Sequence, residues 1–326
     1  MMKKLLMSLI LACSFSHLTA SAQVTHNMLT AVPISAPIDA GVIDERWGTP
    51  ILAHGGALTP EQLEQTKAIL GITGMDVDLV SVTGADLVHF LGGGNPNINM
   101  FSSALIKKGT PGSGINVAIV TPDNITRITE VQYANAMITA GITDSIVYVA
   151  SPIRVTGESA LTGIYKAFSD RGIELDSDRI EVAQQELETT SSIANAHAEN
   201  KDFDSNDLDS ALIDIKSNLA DIKEQAGALA TDAEVAQVVE EALVNNNLAD
   251  ILSSDQVNSL VSFARRFQAT DAINSPELRE QLGSLAESIN NGFQHLRDVA
   301  NDYGLIDRGR DFLSRLFNLI REMFNH

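Results

Sequence analysis

Residues 115–145, "INVAIVTPDNITRITEVQYANAMITAGITDS", decide the fold. The stretch opens with an apolar run, "INVAIV", that reads as a strand. "TPDN" (121–124) follows as a turn with Pro122 at its second position. Thr129 and Gln132 have the spacing of a capping box, so a helix is predicted through "EVQYANAMITA", ended by Gly141. "SIVYVAS" (145–151) is the next strand. The result is a strand–turn–helix–strand unit. The segment holds many Thr and Ile residues and no Cys, His or Lys. Such small, uncharged side chains suit a helix lying flat on a sheet.

The pattern extends in both directions. Upstream, Thr59, Pro60 and Gln62 start a helix that Gly71 stops. "MDVDLVSV" (75–82) alternates as a strand does, and "TGADLVHFL" reads as a short helix with Thr83 as its cap. "GGGNPN" (92–97) is a loop. "SSALIKK" and "GINVAIV", joined by "GTPGSG", suggest a hairpin. The predicted order is β (75–82), α (84–91), β (102–108), β (115–120), α (130–140), β (145–151). This is the split βαβ order of ferredoxin-like folds. A faint internal echo accompanies it: "VTGADL" (82–87) and "VTGESAL" (155–161) each follow a β-like run and open a helix.

Beyond residue 174 the patterns are almost entirely helical. Helix starts are predicted at Ser177, at Thr231 with Glu234, at Ser253 with Gln256, and at Ser275-Pro276-Glu277. Leu208, Leu212, Ile215, Leu219, Ile222, Ala226 and Leu229 form a heptad seam over three repeats. An antiparallel bundle of the chain with itself and pairing with a second chain both satisfy it. The predicted class is therefore α+β: an N-terminal α/β sandwich followed by an all-α region. The predicted segments are 1–22, 23–174, 175–306 and 307–326.

Residues 1–22 have the layout of a secretory signal. Lys3 and Lys4 precede the short apolar core "LLMSLILACSF", and Ala20-Ser21-Ala22 supplies a small-x-small cleavage site. Lipoprotein processing before Cys13 is the rival reading; Leu11 fits it poorly. Cleavage after Ala22 would remove the chain's one cysteine, leaving no disulfide, thiol nucleophile or thiolate metal site. It would also remove two lysines and no acid, taking the formal charge from −20 to −22. So acidic a chain disfavours sequence-independent binding to nucleic acid or anionic membranes. A secreted, extracellular or envelope-associated location is expected.

"SSALI", "GSGINVAIVTPDNITRITEVQYANAMITAGITD" and "VTGESALTGIYKAF" together closely resemble the YpuA-like secreted proteins, a domain-of-unknown-function family, the one numbered 1002. The resemblance covers roughly residues 47–200. It implies an exported bacterial protein and no particular activity, cofactor or site residue.

Motifs for catalysis are sparse. The histidines beyond residue 22 (His26, His54, His89, His197, His295, His326) fall in no metal-binding spacing. There is no G-x-S-x-G elbow, Walker sequence or complete dinucleotide loop. No metal and no cofactor are expected. "LGGGNPN" is a loop whose backbone N–H groups could cradle an anion. The strand-to-helix turns supply the candidate ligand residues Thr83, Asp86, Thr121, Asp123, Asn124, Thr126 and Glu158, because ligands favour such turns in α/β sheets. Gly84, Thr156, Gly157 and Ser159 belong to the same turns. Capping and turn formation account for the same residue types.

Two functions follow from these features. One is a non-catalytic binding or scaffold protein that meets a protein partner, or itself, through its helical half. The other is a secreted hydrolase acting on envelope material through carboxylates such as Asp86, Asp123 or Glu158. The sparse chemistry favours the first. Residues 310–326 form a segregated amphipathic pattern. Phe312, Leu316, Phe317 and Ile320 on its apolar side are the candidate partner contacts. Its surplus of one positive charge favours an attachment or assembly element over a lipid anchor.

Overall fold

The computed structural model describes residues 47 and 49–290. The signal-like segment with Cys13, and residues 307–326 with Phe312, Leu316, Phe317 and Ile320, lie outside the described residues. The first half runs β1 (Ile51–Gly55), α1 (Pro60–Ile69), β2 (Asp78–Val82), α2 (Gly84–Leu91), β3 (Ser103–Lys108), β4 (Ile115–Ile119), α3 (Glu130–Thr139), β5 (Ser145–Ala150) and α4 (Ser159–Asp170). Helices α5 (Ser177–Ala196), α6 (Ser205–Ala226), α7 (Asp232–Asn245), α8 (Ser254–Ala269) and α9 (Pro276–Asn290) follow. The fold is α+β. The capping boxes at Thr59, Thr83, Thr129, Thr231 and Ser253 start α1, α2, α3, α7 and α8. α5 is capped by Asp176, whose carboxylate accepts from Arg179 N at 2.9 Å, one residue before the Ser177 start read from the sequence.

The strand order departs from the split βαβ arrangement. The five strands lie β2-β1-β3-β5-β4. β1 pairs parallel with β2, and β4 pairs parallel with β5. β3 lies between β1 and β5, antiparallel to both. Each βαβ unit thus closes on its immediate neighbour. β1 is an addition to the predicted strands: Ile51, Leu52 and Ala53 are all buried, so the segment lacks the alternation of a one-sided strand. β3 and β4 form no hairpin, because β5 stands between them. The residue before β5 holds the connecting loop aside. Asp144 O accepts from Gly109 N at 2.6 Å, and its carboxylate accepts from Gly114 N at 3.0 Å.

One face of the sheet presents Ile51, Ala53, Ala104, Ile106, Val117, Ile119, Val147 and Val149 in register. α4 packs over β1, β2 and β3, and α3 over β4. Gly163 lets α4 approach closely, since a Cβ there would stand 3.0 Å from that of Ala53. α3 is a central element rather than an outer layer. Val131 through Thr139 are all buried, and α5, α6 and α9 cover the side turned from the sheet. The apolar core runs unbroken from Trp47 to Leu285, across the division predicted at residue 174. Of the heptad seam, Leu208, Leu212, Ile215 and Leu219 are buried in this same core. Ala226 is exposed, and Leu229 lies exposed beyond the end of α6.

Candidate functional site

β1, β2, β4 and β5 point the same way, so their carboxyl ends share one edge of the sheet with the start of β3. A cavity of about 570 Å³ opens beside the segments at this edge. That volume is within the range of about 300–1,000 Å³ common for small-molecule sites. Apolar side chains come from α2 (Leu87, Leu91), the segment before β3 (Ile98, Met100, Phe101) and the turn after β5 (Val155). Polar side chains come from the same turn (Thr156, Glu158), from α4 (Ser159, Thr162) and from α5 (Gln184, Glu188). Gly93 and Gly94 of the glycine-rich loop, with Asn99 and Gly157, complete the wall.

Local sequence explains how these walls meet. Gly84 admits the loop after α2, because a Cβ there would come within 2.5 Å of Pro96 O. Gly55 does the same for the Met100–Phe101 backbone. Gly157 has φ +109°, and a Cβ would stand 2.7 Å from the Tyr133 hydroxyl, so only glycine fits without a shift. Gly157 O accepts from Tyr133 Oη at 2.6 Å and from Ser102 Oγ at 3.1 Å. Burial, then the nearby charges of Glu158 and Glu130, raise the Tyr133 pKa, which keeps the hydroxyl a donor. Ser159 Oγ accepts from Ser102 N at 3.1 Å and lies 2.5 Å from Ser102 Oγ. The two serines thus tie β3 to α4, and neither is hydrogen-bonded to a histidine or carboxylate among the described residues. The echo of the two V-T-G stretches is structural, since each glycine permits a close approach, of the Pro96 backbone at Gly84 and of the Tyr133 and Ile125 side chains at Gly157.

Of the seven ligand candidates, Glu158 lines the cavity. It is half-buried, and Thr156 Oγ1 donates to its carboxylate at 2.7 Å. The others hold the fold together or lie on its surface. Asp86 accepts from Thr83 N at 2.7 Å and from Lys166 Nζ at 2.7 Å. Burial pulls its carboxyl up, but the bonds from Lys166 and Thr83 outweigh this and leave it lowered. Thr121 Oγ1 accepts from Ser151 N at 2.9 Å, and Asn124 Nδ2 donates to Ser151 O at 2.8 Å, joining the ends of β4 and β5. Thr126 is exposed and donates to Val155 O at 2.9 Å, while Asp123 lies exposed on the turn.

Sequence reading missed Gln184, Glu188 and Thr162. Gln184 is buried, and its Nε2 donates to Glu188 Oε1 at 2.9 Å across one helical turn. Glu188 is exposed at the cavity mouth. Its i, i+4 spacing from Gln184 is visible in the sequence, but it looks like an ordinary pair on a solvated helix face. Among the described residues no group of three or more His, Cys, Asp or Glu side chains is placed to hold a metal. No helix among them is long and apolar enough to cross a membrane.

The comparisons with known proteins agree with one another. The family model described as "Protein of unknown function (DUF1002)" matches residues 54–285, from inside β1 to inside α9. A curated relative, the "Uncharacterized protein YpuA" of Bacillus subtilis (strain 168), is 29% identical over 307 residues, covering 91% of this chain and 95% of the relative. No solved structure matches. The family match runs well past the resemblance seen over residues 47–200 and takes in the helices that cover α3. The chain belongs to the DUF1002 family, with the whole cavity lining and most of the sheet and helical layer inside the family's matched segment.

Proposed function

We propose that this is an exported, non-catalytic binding protein that holds a small ligand in the cavity at the carboxyl edge of its sheet. The carrying observation is the cavity itself: apolar and polar side chains lining one space, built where α/β sheets commonly place ligands. Export draws its support from the layout of residues 1–22. A scaffolding role for the helical half is less favoured, because the buried part of its heptad seam is taken up by the chain's own core. Hydrolysis through Asp86, Asp123 and Glu158 also finds less support. Asp86 is engaged by Lys166 and its own helix cap, Asp123 sits on an exposed turn, and Glu158 alone lines the cavity.

The test is recovery of the protein from its native cell surface, followed by solvent extraction and mass spectrometry. A small molecule should accompany the wild-type chain in near-equal amount and be lost from Leu87→Trp, which fills the cavity from α2. If the wild-type chain carries nothing, and extracts of the native envelope do not raise its melting temperature, the reading fails.

A further inference from the structure

Glu158 and Glu188 indicate the kind of ligand. Glu158 stands half-buried at the start of α4, and Glu188 stands exposed on α5, both on the lining of one cavity. Each receives a neutral donor, Thr156 for Glu158 and Gln184 for Glu188. Among the described residues neither has an ion-pair partner, whereas Asp78, Asp86, Glu181, Glu186 and Glu224 all do. The same lining carries the apolar side chains of half-buried Leu87, Leu91 and Phe101 and of buried Met100. Two carboxylates without a cationic partner beside apolar lining complement a positive head on a hydrocarbon body. A carboxylate or phosphate head would meet two like charges there. The backbone N–H groups of the glycine-rich loop, read from the sequence as an anion cradle, thus border a cavity of the opposite preference.

We infer that the cavity receives the apolar chain of a ligand ending in one ammonium group, held at the mouth between Glu158 and Glu188. This rests on the binding reading given above. A free amine and a lysine side chain of a peptide share the head-group chemistry. The free amine is the better fit, because an interior lined by Leu87, Leu91 and Phe101 accommodates a longer apolar body than a lysine stem. The net charge of −20 adds a long-range attraction for any cation approaching the chain.

Calorimetry on the full chain with octylammonium, 1-octanol, octanoate and an acetylated lysine peptide tests this. Octylammonium should bind wild type about tenfold more tightly than 1-octanol, the ratio worth one favourable charge contact, and octanoate should bind most weakly. Glu158→Gln and Glu188→Gln should each reduce that preference, and the double variant should abolish it. 1-Octanol binding, unchanged in the double variant, reports that the cavity remains folded. Equal affinities for octylammonium and 1-octanol, unaffected by either glutamine, would overturn the ammonium inference while leaving an apolar binding cavity. Failure of wild type to bind either compound would overturn the binding reading as well. A lysine peptide that outcompetes octylammonium in wild type, and loses its advantage in the double variant, would keep the head group and assign the ligand to a peptide.

Discussion

Asp209, Lys216 and Glu186 are buried together where α6 meets α3 and α5. Lys216 Nζ donates to Glu186 Oε1 at 2.8 Å and to Asn135 Oδ1 at 2.7 Å. Thr139 Oγ1 donates to the other Glu186 oxygen at 2.5 Å. Lys216 forms its ion pair with Glu186, while Asp209 accepts from Thr129 Oγ1 at 3.5 Å and its Oδ1 has no hydrogen-bond partner. The Asp209 carboxyl is pushed up to about 8, first by burial and then by the charge of Glu186; Lys216 and the Thr129 hydroxyl pull it down, and Asp204 adds a small upward push. Near pH 7 the folded state therefore keeps a proton on Asp209 that the unfolded chain releases above about 4. This contribution to stability is complete below the unfolded pKa, declines as pH rises, and is lost beyond about pH 8. The slope from this one group is at most about 1.4 kcal/mol per pH unit. Asp209→Asn should therefore gain on wild type as pH rises from 5 to 7.5, by about 1 kcal/mol or more in urea unfolding. A difference independent of pH would show that Asp209 is ionised in the fold. The sequence carried one sign of this cluster: Gln132, Asn135 and Thr139 form a polar stripe at i, i+3 and i+7 on an otherwise apolar α3. Lys216 and Asp209 lie beside the heptad seam, where charged residues are ordinarily solvated.

Among the elements, those set by local chemistry were readable and those set by distant pairing were not. Thr129 with Gln132 placed α3, and Thr59 with Gln62 placed α1, because a cap needs only residues three apart. β1 escaped notice because a strand buried on both faces has no period of two. The place of β5 beside β3 depends on Val147 meeting Ile106 across some forty residues, which no local pattern encodes. The cavity was half legible. Glu158 and the glycine-rich loop stood out separately, while Gln184 and Glu188 reached the site only through the packing of α5 against α2. For α6 the burial pattern gives a direct test. Leu212→Ala should cost about 2–5 kcal/mol, as for a fully buried leucine, whereas Leu229→Ala should cost less than about 1 kcal/mol. Equal losses in denaturant unfolding would mean that the seam continues into a contact beyond Ile222.

For the whole molecule, the shared core bears on whether the sheet layer folds without the helices. Composition places a boundary at residue 174, yet α3 receives its outer cover from α5, α6 and α9. A fragment of residues 23–174 would expose Val131 through Thr139 on one side and leave the apolar core open. It should melt without a cooperative transition and bind a hydrophobic dye. A sharp melt like that of the full chain would establish an independent sheet domain. The position of β5 has a consequence in time as well. β3 and β4 are both complete by residue 119, but the slot between them is filled by the last strand made. During synthesis each therefore presents an unpaired inner edge until residues 145–150 emerge. The sheet closes late and all at once, and during that wait the nascent chain is most exposed to pairing with a neighbouring copy.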